Sequence, residues 1–345
     1  MYFNMKLMGW NSKDIGVDLG TANIIVTIKG KGIVLREPSV FVIDKNNGTI
    51  LATGAEAKEM LGRTPNDIAA IRPLKDGVIA DFTATQLMLK SMLQKVCQRY
   101  NAGRPRVVVG VPSGITEVEE RAVEEALIQA GAREVFLIEE PMAAAIGAGL
   151  DVAEPTGNMV VDIGAGTTEV AVISLGGIVV SDSIKIAGDA IDDEIINYIK
   201  NNLNLAIGYT TAEQVKLELG CAMPLVTQKS LEIRGRELTT GLPENKIVTS
   251  EQVQEAMAPI IERIIDLIKA TLEKTPPELV SDIIERGITL TGGGALIKNI
   301  DTVISQRTEI PVYIAERPLD CVANGTSKTI EDMDKLRTAL LKRKK

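Results

Sequence analysis

The sequence predicts an α/β protein made of two domains that are related by duplication. A pattern of an apolar strand, an aspartate, glycines and a second apolar strand occurs twice, first as DIGVDLGTANIIVTI from Asp14 and again as NMVVDIGAGTTEVAVI from Asn158. Each copy is followed by strands and helices that alternate along the chain, which is typical of a mostly parallel sheet with helical crossovers. We therefore expect a separate sheet in each half.

The first half carries its strand and helix signals in the order that such a sheet requires. Thr116 and Glu119 have the spacing of a capping box, and Gly131 suits the end of the helix that they begin. The predicted elements are a hairpin over 14–43, the strand RVVVGVP at 106–112, a helix over 116–131, the strand EVFLI and a helix opened by EEPMAAAIGAG.

The second half repeats this order and adds a long helix. Apolar residues recur at helical spacing from Ser250 onward, and Pro276 and Pro277 predict where that helix stops. The predicted elements are a hairpin over 159–182, polar helices, the long helix, the strand and glycines of ITLTGGGALIKNI leading into a helix, the strand VYI and a C-terminal helix. Inserts are expected at about 45–75 and 185–248.

Composition excludes several classes of chemistry. The chain has 345 residues and no histidine, which removes Ser-His and Cys-His nucleophiles and imidazole metal sites. The three cysteines, Cys97, Cys221 and Cys321, are too widely spaced for a zinc site or redox pair and fit a reducing compartment. The net charge of −8 argues against broad nucleic-acid binding. Without a long apolar run or a cleavable leader, a cytoplasmic protein is expected.

The repeated glycines indicate a site for an anion. A ligand can approach the backbone of a turn only where side chains are absent, and the exposed N–H groups there bind phosphate. Asp18 and Asp162 would repel phosphate unless a cation intervened, and Mg²⁺ that keeps its waters suits this role. A third glycine run precedes a predicted helix, whose N-terminus would face a phosphate or ribose. Ordinary turn residues in hairpins are the alternative interpretation; P-loop and Rossmann signatures are absent.

Together these segments resemble the actin, Hsp70 and sugar-kinase superfamily and, within it, the MreB/Mbl family of bacterial actins. The resemblance extends from Asp14 to about Ile330. The segments that carry it are DLGTAN, GKGIVLREPSV, RPLKDGVIADF, VGVPSGITEVEERAV, IEEPMAAAIGAGL, VVDIGAGTTEVAVISLGGIV, AGDAIDDEI and LTGGGALI.

The resemblance implies an actin-like ATPase fold, in which two duplicated RNase H-like domains, each with a smaller inserted subdomain, surround a central nucleotide cleft. The implied divisions are a membrane-binding segment at 1–13, subdomain IA at 14–44, 76–150 and 328–345, subdomain IB at 45–75, subdomain IIA at 151–184 and 249–327, and subdomain IIB at 185–248.

The resemblance also implies ATP and Mg²⁺ as cofactors and assigns them residues. Asp18 and Asp162 would hold Mg²⁺ through waters, and Glu140, Asp162 and Thr167 would serve hydrolysis. The implied nucleotide contacts are Asp18, Gly20, Thr21, Ala22 and Asn23 in the first loop, Gly164, Ala165, Gly166 and Thr167 in the second, and Gly188, Asp189, Glu213, Gln214, Val215, Lys216, Gly292, Gly293, Gly294 and Ala295 elsewhere.

Glu140 is the expected catalytic carboxylate. It lies between the strand VFLI and Pro141, a favourable first helical residue, so it is placed at the carboxyl end of a parallel strand, where such sheets bind ligands. A carboxylate there can orient or deprotonate the attacking water. Glu139 is expected to be structural.

The function implied is a cytoskeletal ATPase that forms homopolymer filaments, associates with the anionic inner face of the cytoplasmic membrane, and organises cell-wall synthesis with membrane proteins of cell shape and peptidoglycan synthesis. An actin-fold sugar or acetate kinase and an Hsp70-like chaperone ATPase are the alternatives. Membrane contact would use either the bulky N-terminus MYFNMKLMGW or the loop CQRYNAGRP at 97–105, and the tail KRKK at 342–345 would add charge attraction.

Overall fold

The structure, a computed structural model, describes residues 13–75, 77–333 and 336–341. The N-terminal segment that was predicted to bind membrane, apart from Lys13, and the KRKK tail lie outside the described residues. The chain divides into two compact units. One contains the chain up to Glu154, Leu175–Gly177 and the chain from Asp320 onward, and the other contains Pro155–Ser174 and Ile178–Leu319. The finer division into four subdomains stays a prediction.

The strands in chain order are β1 (Ile15–Leu19), β2 (Asn23–Ile28), β3 (Gly32–Pro38), β4 (Phe41–Asp44), β5 (Ile50–Thr53), β6 (Ile68–Ile71), β7 (Leu74–Lys75), β8 (Val78–Ile79), β9 (Arg106–Val111), β10 (Glu134–Glu139), β11 (Asn158–Ile163), β12 (Thr168–Ser174), β13 (Gly177–Ile184), β14 (Leu205–Ala206), β15 (Ser230–Glu237), β16 (Pro243–Thr249), β17 (Ile288–Thr291) and β18 (Val312–Ile314). The helices are α1 (Ala55–Glu59), α2 (Phe82–Tyr100), α3 (Glu117–Gln129), α4 (Glu140–Ala148), α5 (Gly188–Leu203), α6 (Tyr209–Leu219), α7 (Ser250–Lys274), α8 (Pro277–Arg286), α9 (Ile300–Thr308) and α10 (Cys321–Glu331).

The main sheets of the two units have the same topology. The first has the strand order β10-β9-β1-β2-β3 and the second has the order β13-β12-β11-β17-β18. In each sheet the first strand of the duplicated hairpin pairs antiparallel with the next strand and parallel with a strand from later in the chain. The predicted duplication of an α/β domain is therefore present in the fold.

The inserts add smaller sheets. β4, β5 and β6 pair in the order β5-β4-β6, and β14, β15 and β16 pair in chain order. β4 precedes the predicted insert boundary at residue 45 yet pairs with strands inside it. Val40, Val42, Ala52 and Ala57 form a small core for the first of these sheets.

The core of the first unit lies between its sheet and two helices. Val17 and Val109 from adjacent parallel strands pack with Leu89 and Leu93 of α2 and Leu127 of α3. The opposite side of the sheet is covered by α10, which also packs closely on α4. Both sides of the sheet are buried, which explains why its strands consist of apolar runs without polar alternation.

The core of the second unit is built mainly by α5 and α7 against β11 and β12. Ile191 of α5 and Ile264 of α7 pack with Val161 and Val170 from the two strands. The apolar spacing that predicted α7 reaches this core, with Val253, Met257, Ile260, Ile264 and Ile268 buried. The helix begins after Thr249 in a capping box with Gln252, and ends one residue before Thr275.

Two segments differ from the prediction. The glycine run of ITLTGGGALIKNI does not open an α-helix: Gly293–Leu296 form a single 3₁₀ turn, and α9 begins only at Ile300. The predicted 97–105 loop is shorter than expected, because Cys97–Tyr100 belong to the last turn of α2, which ends at the left-handed Asn101. None of the helices in the described residues is long and apolar enough to span a membrane.

Candidate functional site

The turn between β11 and β12 is held in a fixed shape by its own backbone and by α5. Gly164 N–H donates to the Thr167 carbonyl at 2.9 Å and closes the turn. The Gly164 and Ala165 carbonyls accept hydrogen bonds from the Gly188 and Asp189 amides at 3.2 and 2.8 Å. The predicted second phosphate loop and the start of α5 are therefore brought together, with the loop already ordered.

Gly188 leaves little space for a side chain at this contact. A Cβ atom there would lie 3.3 Å from the Gly164 carbonyl oxygen and 3.4 Å from Lys216 Nζ, closer than most real Cβ contacts. Thr168, which follows the loop, donates its hydroxyl to the Ile186 carbonyl at 2.7 Å inside the protein. Its hydroxyl is thus part of the scaffold, whereas Thr167 remains a candidate to contact a ligand.

Asp162 is buried at the carboxyl end of β11, with 7% of its surface exposed. Its Oδ1 accepts a hydrogen bond from Thr291 Oγ1 at 2.6 Å, across the parallel β11–β17 pair. Burial raises the pKa of this carboxyl, and the hydrogen bond from Thr291 opposes that shift. A cation nearby would favour the charged form, so the environment fits the predicted role.

The three glycines after β17 are explained first by packing. Gly292 has a φ of +78°, and a Cβ there would lie 2.4 Å from the Ile163 carbonyl oxygen. A Cβ at Gly294 would lie 2.1 Å from Ile163 Cγ2, and Ala295 is fully buried. Gly293 has more room, with Leu319 Cδ2 nearest at 3.4 Å. Of these four predicted contacts, Gly293 has the space that a ligand needs.

The four predicted nucleotide contacts in α6, at 213–216, lie on different sides of the helix. Glu213 is half-buried and lies one turn from Lys216, as their spacing predicts. Val215 is fully buried in the core, and Gln214 donates to Glu218 Oε1 at 2.9 Å on the exposed side. Val215 and Gln214 are therefore engaged within the protein, and a nucleoside contact by Glu213 and Lys216 stays a prediction.

Lys216 connects α6 to the second loop. Its Nζ donates to the Gly188 carbonyl at 2.8 Å and to Asp192 Oδ2 at 2.7 Å. Asp192 was not among the predicted site residues. Burial raises the pKa of its carboxyl to about 6, although the charge and hydrogen bond of Lys216 lower it.

In the first unit, the corresponding turn between β1 and β2 is held by hydrogen bonds from residues outside the turn. Ser39 donates its hydroxyl to the Gly20 carbonyl at 2.6 Å and its N–H to the Ala22 carbonyl at 2.9 Å. The buried Thr21 hydroxyl accepts a hydrogen bond from Gly77 N–H at 3.2 Å. The loop from Asp18 to Asn23 is thus ordered, as its counterpart is, but by different partners.

Glu140 begins α4 directly after β10. Ile138 of β10 pairs with Gly110 of β9, which in turn runs parallel to β1, so Asp18 and Glu140 lie at the carboxyl edge of one sheet. A Cβ on Gly110 would lie 3.4 Å from Glu140 Cγ, which shows how closely the side chain passes the strand. The predicted edge location is therefore present, and the catalytic role of Glu140 stays a prediction.

Glu139 has the structural contacts that the sequence suggested. The Gly114 amide and the Ser113 side chain, in the loop that leads to α3, lower the pKa of its carboxyl, but burial is the larger effect and the pKa is raised.

The described residues contain no cluster of three or more His, Cys, Asp or Glu side chains that could ligate a metal directly. A single buried carboxylate with one oxygen engaged by Thr291 suits a cation that keeps its own waters, which Mg²⁺ does more readily than Ca²⁺ or Zn²⁺. In the second unit, Asp162 is the residue that would hold such waters.

Comparison with known proteins identifies the relatives of this chain. The MreB/Mbl protein family model matches residues 12–338. The chain is 50% identical over 325 residues to the cell shape-determining protein Mbl of Bacillus subtilis, covering 94% of this chain and 98% of that protein. It is 52% identical over 334 residues to the cell shape-determining protein MreB of Escherichia coli K12, covering 95% and 96%.

Solved structures give the same result for the fold. MreB5 of Spiroplasma citri bound to ADP superposes with a TM-score of 0.90 at 40% identity, covering 94% of this chain and 98% of that one. The same protein bound to AMPPNP gives a TM-score of 0.89. The MamK double helical filament, at 21% identity and a TM-score of 0.79, shares the fold. The chain therefore has the actin-like fold and belongs to the MreB/Mbl family.

Proposed function

We propose that this chain is an ATPase that binds Mg·ATP, assembles into filaments of its own copies, and acts at the membrane in the control of rod cell shape and cell-wall synthesis. Three things support the proposal: family membership, the cell-shape role in the names of relatives at about half identity, and the nucleotides bound to MreB5. The observation that carries it is the ordered Gly164–Thr167 turn, joined to Gly188 and Lys216 beside the buried Asp162.

Each group of residues has one part in this proposal. Backbone N–H groups of the two hairpin turns bind phosphate oxygens, while Glu213 and Lys216 contact the nucleoside. Asp162 and Asp18 accept hydrogen bonds from the water shell of Mg²⁺, which when bound neutralises charge on the phosphates. Glu140, with the hydroxyl of Thr167, orients the attacking water and takes its proton.

A sugar or acetate kinase and an Hsp70-like chaperone remain the competing functions to be tested. A small-molecule kinase needs a pocket for a second substrate, and a chaperone of this superfamily needs a peptide-binding part. Filament formation needs only the nucleotide site and self-complementary surfaces. Coverage of nearly the full length of the Mbl and MreB relatives supports the last of these.

The experiment combines two assays on the purified chain. We expect Mg·ATP to bring the protein into the pellet on ultracentrifugation and to be hydrolysed, with ADP giving less pelleted protein. We expect no phosphoryl transfer to a panel of sugars and acetate above the rate to water. Transfer to one of these acceptors, with no ATP-dependent pellet, would favour the kinase function instead.

Membrane attachment is the second part of the proposal, and contacts at Lys13 support it. Lys13 N–H donates to the Ala102 carbonyl at 3.2 Å, and its Nζ donates to the Tyr100 carbonyl at 2.7 Å. The bulky N-terminal segment therefore joins the described chain beside the residues that follow α2. Lys31 and Arg99 lie 4.9 and 5.6 Å from the centre of the Tyr100 ring, so this end of the first unit also carries positive charge.

A further inference from the structure

A buried ion pair joins α5 to α6 next to the second hairpin turn. Lys216 Nζ lies 2.7 Å from Asp192 Oδ2, and the two side chains are only 16% and 8% exposed. The ammonium also donates to the Gly188 carbonyl at 2.8 Å. Since an ammonium has three protons, two are committed and their acceptors set the direction of the third.

The negative charge of Asp192 does not stabilise the folded protein. Its Oδ1 is buried and finds no donor among the described residues, and the negative charges of Asp189 and Glu213 oppose ionisation. Burial is the largest effect and raises the pKa to about 6, from an ordinary value of 3.8. A carboxyl whose pKa is raised by folding destabilises the folded state at pH values where it is ionised. The charged form is therefore kept at neutral pH against a cost in stability.

We propose that Asp192 is a positioning residue for the nucleotide: its carboxylate holds the Lys216 ammonium against the Gly188 carbonyl, so that the remaining N–H of Lys216 points to the bound nucleoside. The inference rests on the proposed function, because it requires Lys216 to contact a nucleotide. It adds a residue that touches no ligand itself and acts through Lys216.

The same arrangement makes nucleotide affinity depend on pH. Lys216 and Glu213 from α6 and Asp189 from its own helix are the charged groups that act on the Asp192 carboxyl. When Asp192 is protonated its carboxyl loses the negative charge that attracts the ammonium, so the charge-assisted hydrogen bond to Lys216 is weakened. Histidine is the side chain whose ordinary pKa lies near 6, and this chain has none.

The test compares Asp192→Asn with Asp193→Asn, which removes the same charge from the next, exposed residue of α5. The probe is fluorescently labelled ADP, and the Kd is measured by anisotropy at pH 7.5. We expect Asp192→Asn to raise the Kd about 5- to 10-fold, as loss of a charge-assisted hydrogen bond does. We expect Asp193→Asn to leave the Kd unchanged. Thermal unfolding without nucleotide should show no loss of stability in Asp192→Asn, since Asn keeps an acceptor and removes the buried charge.

A second background separates positioning from a general structural effect. In Lys216→Met, the further change Asp192→Asn should alter the Kd no more, because Asp192 acts only through Lys216. An unchanged Kd in Asp192→Asn, an equal loss in Asp193→Asn, or an added loss in the Lys216→Met background would each overturn the inference.

The pH profile tests the inference without a variant of Asp192. From pH 7.5 to 5.5 the unmodified protein should lose more ADP affinity than Lys216→Met does. The phosphate of the ligand titrates near pH 6, but this contribution is common to both proteins. Parallel profiles would contradict the inference while leaving nucleotide binding intact. An unmodified protein that binds no ADP at all would instead overturn the proposed function, and the inference with it.

Discussion

Asp18 and Asp162 hold corresponding positions in the two copies of the hairpin, but their surroundings differ. Asp162 is almost fully buried and bonded to Thr291, whereas Asp18 is partly exposed. A carboxyl whose pKa is raised by burial binds its proton more tightly in the folded state, so its contribution to stability falls as the pH rises above the ordinary value of 3.8. At neutral pH the Asp162 charge therefore destabilises the fold.

The substitution Asp162→Asn is therefore expected to have opposite effects on stability and on ATP hydrolysis. Asp162→Asn keeps the acceptor for Thr291 and removes the charge, so we expect thermal unfolding at pH 7.5 to occur at the same or a higher temperature. We expect Mg·ATP hydrolysis to fall about 100-fold or more, because the water shell of the cation loses its anchor. Phosphate release and scanning calorimetry measure the two effects. Hydrolysis at the unmodified rate would remove Asp162 from the site.

Adjacent glutamates give a matched pair for the catalytic role. Glu140→Gln is expected to keep ATP affinity and lose about 100- to 10,000-fold in turnover, as removal of a general base does. Glu139→Gln is the control, since its contacts with Ser113 and Gly114 are structural, and it should keep most of its turnover. Single-turnover phosphate release and ATP binding are measured for both. An equal loss of binding and turnover in Glu140→Gln would exclude the catalytic role.

Asp162, Lys216 and Gly188 were predicted from the sequence. In the structure all three lie in the second unit, beside the turn between β11 and β12. Sequence reasoning did not find Asp192, because its partner Lys216 lies 24 residues away and nothing local marks the pair. It also assigned Gly292, Gly294 and Ala295 to a ligand, whereas their closest neighbours are packing contacts. A glycine pattern does not distinguish approach by a ligand from approach by the protein itself.

At the scale of elements, the capping box predicted at Thr116 and Glu119 is present at the start of α3. The capping box of Thr249 and Gln252 at the start of α7 was not predicted, and that helix was found from its apolar spacing instead. Sequence reasoning did not predict α8, because Pro276 and Pro277 were interpreted only as a stop, although proline is equally favourable in a first helical turn. Nor did it predict α2, despite Asp81, whose side chain accepts from the Ala84 amide as the helix begins.

The crossing of α4 and α10 brings two helix backbones into direct contact in the described part of the first unit. A Cβ at Gly147 would lie 1.8 Å from the Cys321 carbonyl oxygen, and a Cβ at Gly325 would lie 1.8 Å from that of Ala143. We expect Gly147→Ala to lower the free energy of unfolding by about 3 kcal/mol or more, since neither backbone can move aside. Urea denaturation measures this change.

Gly208→Ala serves as the control for that substitution. Gly208 also lies next to a helix, but a Cβ added there would have no atom within 4 Å, and its φ is −96°. Because Gly208 is the N-cap of α6, where Ala is less favourable than Gly, the variant should lose about 1 kcal/mol, well below the loss expected for Gly147→Ala. Similar losses in both variants would mean that the crossing has more freedom than its geometry indicates.

For the whole molecule, duplication was readable from the sequence because the same residues recur in the same order. The pairing of the inserts into separate small sheets was not, since the inserts were expected only as segments at about 45–75 and 185–248, with no strands assigned to them. The order of the strands in the main sheets was not predicted either, because the crossover rule limits how parallel strands are connected without fixing which strands are neighbours.

The strength of the proposed membrane attachment depends on how many copies of the chain are assembled together. Burial of Tyr2, Phe3, Leu7 and Trp10 in a lipid interface, at about 25 cal/mol per Å² of apolar surface, is expected to give only weak binding to one copy once ordering is subtracted. A filament that carries many copies on one face should attach firmly by avidity.

Deletion of residues 1–10 should therefore leave ATP binding and polymerisation intact and abolish co-sedimentation with anionic liposomes. Prevention of polymerisation in the full chain should weaken co-sedimentation as well. The control is a neutral liposome, to which the intact chain should bind less because Lys13, Lys31 and Arg99 then lack an attracting surface. If the deleted protein binds anionic liposomes as well as the intact one does, the residues after α2 are the contact instead.

The crossing of α4 and α10 at Gly147 and Gly325 also affects how fast Glu140 can be displaced. Exposed side chains change rotamer within picoseconds to nanoseconds, whereas two backbones in direct contact have no rotamers to exchange. α4 begins with Glu140 and meets α10 through Gly147 and Gly325. The placement of Glu140 along its helix axis is thus set by groups without fast internal motion, and only slower displacement of both helices together would change it.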